Sequence, residues 1–99
     1  MKRLTITSSA KRDLKEAWVF IAKDNPVAAD KHLEKIDRTL QLLLLFPEMG
    51  TRHDTLEPGL LSLPIEGHIA LYHILNEEIL VKRLIDEVRD IPNRLKEDD

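Results

Sequence analysis

The stretch Gly59–Leu75, GLLSLPIEGHIALYHIL, decides the fold. Leu61, Leu63 and Ile65 share one side of a period-two pattern, which breaks at Gly67 and resumes from His68 to Leu75. Alternation on both sides of a glycine turn predicts two strands in a hairpin. Pro64 has no N–H to give to a ladder, so the first of them belongs at an edge or a bulge. Ile79–Asp86 predicts the next strand, joined around Asn76 and Glu77. In the His68–Leu75 strand Ile69, Leu71 and Leu75 face one way, and Ala70, Tyr72 and Ile74 the other. In the strand after it, Ile79, Val81 and Ile85 oppose Leu80 and Leu84. Both faces of this sheet are apolar. An antiparallel sheet with one covered face normally leaves the other polar, so something has to cover each.

Upstream, KRLTIT alternates with Leu4 and Ile6 on one side and predicts a strand. Ser8 or Ser9 then caps a helix, with Asp13 near its positive end. Leu14, Ala17, Trp18, Ile21 and Ala22 follow helical spacing and form one apolar stripe, in which Trp18 reads as a packing residue. Asn25-Pro26 breaks the chain and starts a second helix, because Pro26 is preorganised for a first helical position. Ala29, Leu33, Ile36, Leu40 and Leu43 line that helix, Leu42, Leu44 and Leu45 widen the stripe, and Pro47 stops it. So short a connection makes an antiparallel helical hairpin. PEMGTRHDTLEPG reads as a loop. The order is β-α-α-β-β-β: an α+β fold with an antiparallel-type sheet packed on one helical hairpin. The hairpin covers one sheet face. The other falls to the C-terminal segment VRDIPNRL, through Val88, Ile91 and Leu95, to a partner chain, or to both.

Ninety-nine residues fit a single domain, residues 1–99, with no room for a second core. The composition, 42% apolar and 33% charged, is that of a globular chain and not of disorder. With no cysteine, disulfides and thiolate metal sites are excluded. The N-terminus has no signal-like apolar run, and LLLLF is far too short to span a bilayer, so the expected location is cytoplasmic. Charge is unevenly spread. Residues 1–46 carry nine Lys/Arg and six Asp/Glu, a net of +3; residues 47–99 carry six and twelve, a net of −6. The second half therefore repels phosphate unless its cations cluster.

Catalytic patterns are sparse. His32, His53, His68 and His73 show no metal-ligand spacing, and His68 and His73 project to opposite faces of one strand, so no metal or cofactor is expected. Ser8, Ser9 and Ser62 lack a nucleophile-elbow context, and Gly50, Gly59 and Gly67 form no phosphate loop. The tail KEDD reads as a solvated terminus. One polar constellation stands out: Arg52, Arg83, Arg89 and Asp90 with Tyr72. Arg83 interrupts an apolar strand, so it must reach solvent, meet a ligand, or pair with an acid such as Asp86 or Asp90.

SSAKRDLKEAWVFIAKDNPVAADKHLEKID, LLLFPEMG, GLLSLPIEGHIALYHIL and VKRLIDEVRDI together resemble the ParE branch of the RelE/ParE toxin superfamily, in order and over nearly the whole chain. The resemblance implies the fold derived above and the toxin of a type II toxin–antitoxin system, of the kind tied to plasmid stabilisation. A ParE-like toxin inhibits DNA gyrase by binding and is neutralised by a ParD-like antitoxin; homodimers and hetero-oligomers with the antitoxin both fit. It implies neither a membrane nor sequence-specific nucleic-acid binding. Target-binding candidates are then Arg52, Tyr72, Arg83, Arg89 and Asp90, and antitoxin-binding candidates are Leu14, Trp18, Ile21, Leu71 and Leu80. The enzymatic alternative is a RelE-like, ribosome-dependent mRNA ribonuclease. Against it, Leu61 stands where the family usually has Arg, and Asp86-Glu87 near where it commonly has His-Gly; fewer cations and more carboxylates stabilise a developing phosphate charge poorly. A third alternative is a degenerate, non-toxic member that keeps antitoxin binding.

Overall fold

The computed structural model describes residues 2–96, so most of the acidic KEDD tail lies outside the described residues. The elements run β1 (Arg3–Ile6), α1 (Ser8–Ala22), α2 (Pro26–Leu45), β2 (Thr51–Arg52), β3 (Leu60–Ile65), β4 (His68–Ile74), β5 (Glu78–Ile85) and α3 (Ile91–Leu95). Single 3-10 turns at Pro47–Met49 and Val88–Asp90 lead into β2 and α3. Among the described residues no helix is long and apolar enough to cross a membrane.

Local chemistry accounts for the helix ends. Thr7, not Ser8 or Ser9, caps α1: its side chain accepts from the Ala10 N–H. Asn25 does the same for α2 through Ala28, with Pro26 in the first turn as its fixed φ favours. The β3–β4 loop is the two residues Glu66 and Gly67, both at positive φ. That is the primed-turn geometry whose twist matches a hairpin.

Five strands form one sheet in the order β1-β5-β4-β3-β2. The sequence reading placed the core strands correctly and differs from the structure in three respects. Thr51–Arg52, read as loop, forms a short edge strand against β3. β1 runs parallel to β5, whereas the other pairs are antiparallel. Strand periodicity says which residues share a face but not the direction of a distant neighbour. Third, the β4–β5 ladder slips: Leu71 opposes Arg83 while Tyr72 opposes Val81, so Lys82 is an extra residue. Such a bulge reverses the facing of everything beyond it. Ile79, Val81 and Leu84 therefore lie together under the helices and Ile85 on the far side, not Ile85 with Val81.

Each apolar face has its own cover. Ile36, Leu40 and Leu43 of α2, with Ala10 of α1, pack on Leu61, Ile65, Ala70, Tyr72, Ile79, Val81 and Leu84. On the other face Leu60, Leu71 and Ile85 are closed by Ile91, with Ile69 and Leu95 at the margin. The C-terminal segment thus covers the second face itself. Val88 takes no part and stays 54% exposed.

One polar contact fixes the helical layer to the sheet. β1 ends at Ile6, and Thr7 continues the pairing with its N–H on the Val81 carbonyl and its hydroxyl on that of Lys82. Past that point β5 has no strand on its β1 side. Asp13 fills the place: Oδ2 accepts from the Leu84 N–H at 3.0 Å and from Arg83 Nε at 2.8 Å, and Oδ1 from Arg83 Nη2 at 3.1 Å. Both side chains are about nine-tenths buried. Removing one partner of a buried pair leaves an uncompensated charge. Asp13→Ala should therefore lower unfolding free energy by about 3 kcal/mol or more, and Asp13→Ala with Arg83→Met should recover part of the loss. Urea denaturation of the single and double variants measures both; full additivity would mean that the contact contributes nothing.

Candidate functional site

α1, the β3–β4 turn and the end of β5 enclose a groove of about 680 Å³. Arg12, Asp13, Glu16, Phe20 and Ile21 come from α1, His32 from α2, Glu66 and Gly67 from the turn, His68 from the start of β4, Arg83 to Asp86 from β5 and its end, and Arg94 from α3. Phe20 stands at its lip, 75% exposed. Acidic and basic groups both line the wall, and its apolar part comes from Ala17, Phe20 and Ile21 of α1 with Leu84 and Ile85 of β5. A second groove of about 530 Å³ has Ile6, Leu14, Leu33, Ile36 and Leu40 along it and Asp30, Glu34 and Asp37 at its rim.

The proposed target-binding set does not converge. Tyr72 is fully buried: its hydroxyl donates to the Pro47 carbonyl at 2.7 Å and accepts from the Gly50 N–H at 3.0 Å. Burial pushes the phenol pKa up. A Cβ on Gly50 would sit 2.5 Å from that hydroxyl, so glycine is required there by close approach. Tyr72 is an anchor for the loop that follows α2. Arg83 is locked to Asp13, not to Asp86 or Asp90 as proximity in sequence suggested. Arg52 lies on the far edge strand, exposed, paired with Glu48 and Asp54. Arg89 is exposed beside Glu87, and Asp90 is half-buried in the turn before α3.

The antitoxin-binding candidates divide in the same way. Leu14 borders the second groove, and Ile21 lines the first. Trp18 is half-buried and donates its indole N–H to Asp30 of α2 at 2.9 Å, so it ties the two helices together as well as packing. Leu80 is half-buried opposite His73. Leu71 is fully buried under α3 and presents nothing to a partner in this structure.

Two histidine clusters escaped the sequence reading because their members are distant along the chain. His32 and His68 meet Nε2 to Nε2 at 3.0 Å, and His68 Nδ1 meets Asp86 at 3.0 Å. On the α3 side of the sheet His53 meets the Ser62 hydroxyl at 2.7 Å. Next to it Glu57 receives His73 at 2.5 Å and Lys82 at 3.0 and 3.1 Å, so the bulged Lys82 holds the β2–β3 loop. The only early sign of this was a lysine inside an apolar strand. Burial raises the Glu57 carboxyl pKa, but the hydrogen bonds from Lys82 and His73 outweigh it, and the net shift is downward. A carboxyl held lower in the folded than in the unfolded chain adds stability that is full above its ordinary value of 4.5 and fades as pH falls through the folded value. Glu57→Gln should therefore flatten the acid limb of stability below about pH 4.5, as read from urea midpoints across that range. An unchanged acid limb would remove Glu57 from the linkage.

Comparison with known proteins places this geometry. Residues 4–91 match the sequence family described as the ParE toxin of the type II toxin–antitoxin system parDE. Toxin ParE3 of Caulobacter vibrioides is 26% identical over 87 residues, 87% of each chain. The solved chromosomal ParDE toxin–antitoxin system from P. aeruginosa superposes with a TM-score of 0.73 at 22% identity, over 87% of this chain and 96% of that one, and shows the same fold. With a family match that spans nearly the whole domain, from β1 to the start of α3, this chain belongs to the ParE toxin family of type II toxin–antitoxin systems.

Proposed function

We propose that this chain inhibits DNA gyrase by binding it, without turning over a substrate, and that a ParD-like antitoxin neutralises it by seating a segment along the helical hairpin. The observation that carries the binding reading is the groove of Leu14, Leu33 and Leu40, apolar along its length and acidic at its rim. Leu33, on its wall, is 39% exposed although it belongs to the apolar stripe of α2. An amphipathic helix laid there buries leucine or isoleucine anchors against the stripe and sets Lys or Arg against Asp30, Glu34 and Asp37. The cations expected to read the target favour binding over cutting: Arg83 is already neutralised by Asp13, and Arg52 by Glu48 and Asp54. A ribonuclease needs a cation free to stabilise a developing phosphate charge. Arg52, Arg89 and Asp90, at the surface or half-exposed, remain the target-binding candidates.

Purified chain should inhibit gyrase supercoiling, with relief by the antitoxin encoded beside it, and leave ribosome-bound mRNA intact. Codon-specific cuts without an effect on supercoiling would overturn this in favour of the ribonuclease. Inactivity in both assays, with antitoxin binding kept, would identify a degenerate module. Leu33→Glu should weaken antitoxin binding by on the order of tenfold or more without changing the melting temperature. Wild-type affinity for that variant would move the partner off this groove.

A further inference from the structure

The His32–His68 pair has a geometry that packing alone does not call for. Two imidazoles from distant elements present the same ring nitrogen, Nε2, to each other across 3.0 Å, with ring planes at 68°. Behind His68, Asp86 accepts from Nδ1, which fixes the tautomer and turns the Nε2 lone pair toward His32. A carboxylate behind an imidazole is the arrangement that orients metal-binding histidines and raises their basicity. Both rings line the open 680 Å³ groove, so the space beside the pair is reachable from solvent. Glu66, on the turn before His68, lines the same groove and is close enough for its charge to act on His32.

We propose that His32 and His68 form a two-imidazole site for a divalent transition-metal ion of the zinc class, with Asp86 as the orienting group behind His68. Two nitrogens on a tetrahedral zinc stand roughly 3.3 Å apart for Zn–N bonds of about 2.0–2.1 Å, close to the separation already present, and each ring must also tilt out of the direct Nε2–Nε2 line so that both lone pairs aim at the ion. In the metal-free pair His68 carries its proton on Nδ1, toward Asp86, and His32 donates Nε2–H across the gap. Metal binding moves the His32 proton to Nδ1 through solvent and frees its Nε2 lone pair, with no net change in protonation. Among the described residues no three His, Asp or Glu side chains already converge on one point. The site is therefore open: two protein nitrogens, with water and a reoriented Glu66 completing the coordination. The ion would tie α2 to the β3–β4 turn across the groove. Soft or borderline ions that favour imidazole bind here, and magnesium, which favours oxygen, does not.

Calorimetric titration of the purified full chain with zinc or nickel chloride, at about pH 7.5 where free imidazole is mostly neutral, tests this. One saturable site is expected. His32→Ala and His68→Ala should each abolish it, Asp86→Asn should weaken it by about tenfold, and His53→Ala and His73→Ala should leave it unchanged. Copper added to the labelled wild-type chain should broaden the ring resonances of His32 and His68 first, a readout that does not depend on any variant folding. The proposal fails if no saturable site appears, if magnesium binds equally well, if binding survives both His32→Ala and His68→Ala, or if broadening centres on His53 or His73.

Discussion

A single carboxylate on α1 closes the sheet where β1 stops. Asp13 accepts one backbone N–H that no strand reaches and two N–H groups of a guanidinium about nine-tenths buried. Left alone, the Leu84 N–H would be an unmet donor at a strand edge, and Arg83 a charge inside an apolar layer. Each is costly by itself, and one side chain removes both costs. The pair also fixes geometry. Two guanidinium nitrogens and one amide define the position of α1 along β5 far more narrowly than leucine packing does. Through α1 they set where the two grooves open. An apolar replacement of equal volume could match the stability without reproducing that register.

What the sequence disclosed and what it withheld divide along the distance between partners. The alternation of Leu61, Leu63 and Ile65 and the helical spacing of Ile36, Leu40 and Leu43 are local, and each named the face that the structure buries. Arg83 was legible as a charge in need of a partner, but not Asp13 as that partner, because they are 70 residues apart and Asp86 is three away. The bulge at Lys82 has no local signature either, since Leu80 to Leu84 alternates as well with it as without it. The contacts that go with it are distant ones, Lys82 on Glu57 and Arg83 on Asp13. His32 and His68, 36 residues apart, were invisible for the same reason. Pairings set by tertiary contact leave no period to read.

The two-sided apolar sheet pointed to an extra cover, and α3 supplies it. Ile91 is fully buried against Leu60, Leu71 and Ile85. With that face closed, apolar surface stays exposed on the helices at Phe20, Val27, Leu33 and Leu45. Singly exposed apolar residues are ordinary on any protein. The difference here is that Leu33 borders a groove that continues into the core through Ile36 and Leu40, so a ligand there meets a prepared floor. Trp18, expected as a packing residue, also keeps α1 and α2 together through Asp30.

The position of Leu61 bears on how such a chain acts. It is 1% exposed on the helix-facing side of β3, registered between Arg52 and Tyr72. An arginine there would need a buried acid that this core does not offer, so leucine at this position removes a burden from the core instead of a contact from the surface. Four of the six cations of the acidic half follow the same logic. Arg52, Lys82, Arg83 and Arg89 each face a carboxylate, and the charges cancel locally before any phosphate arrives. A surface whose cations are already matched discriminates poorly among polyanions, because attraction to the phosphate backbone has to displace an existing partner. It discriminates well by shape and apolar fit. Much of the exposed apolar area of this chain, at Phe20, Val27, Leu33 and Leu45, lies on its helices, and its sheet is the frame that holds them.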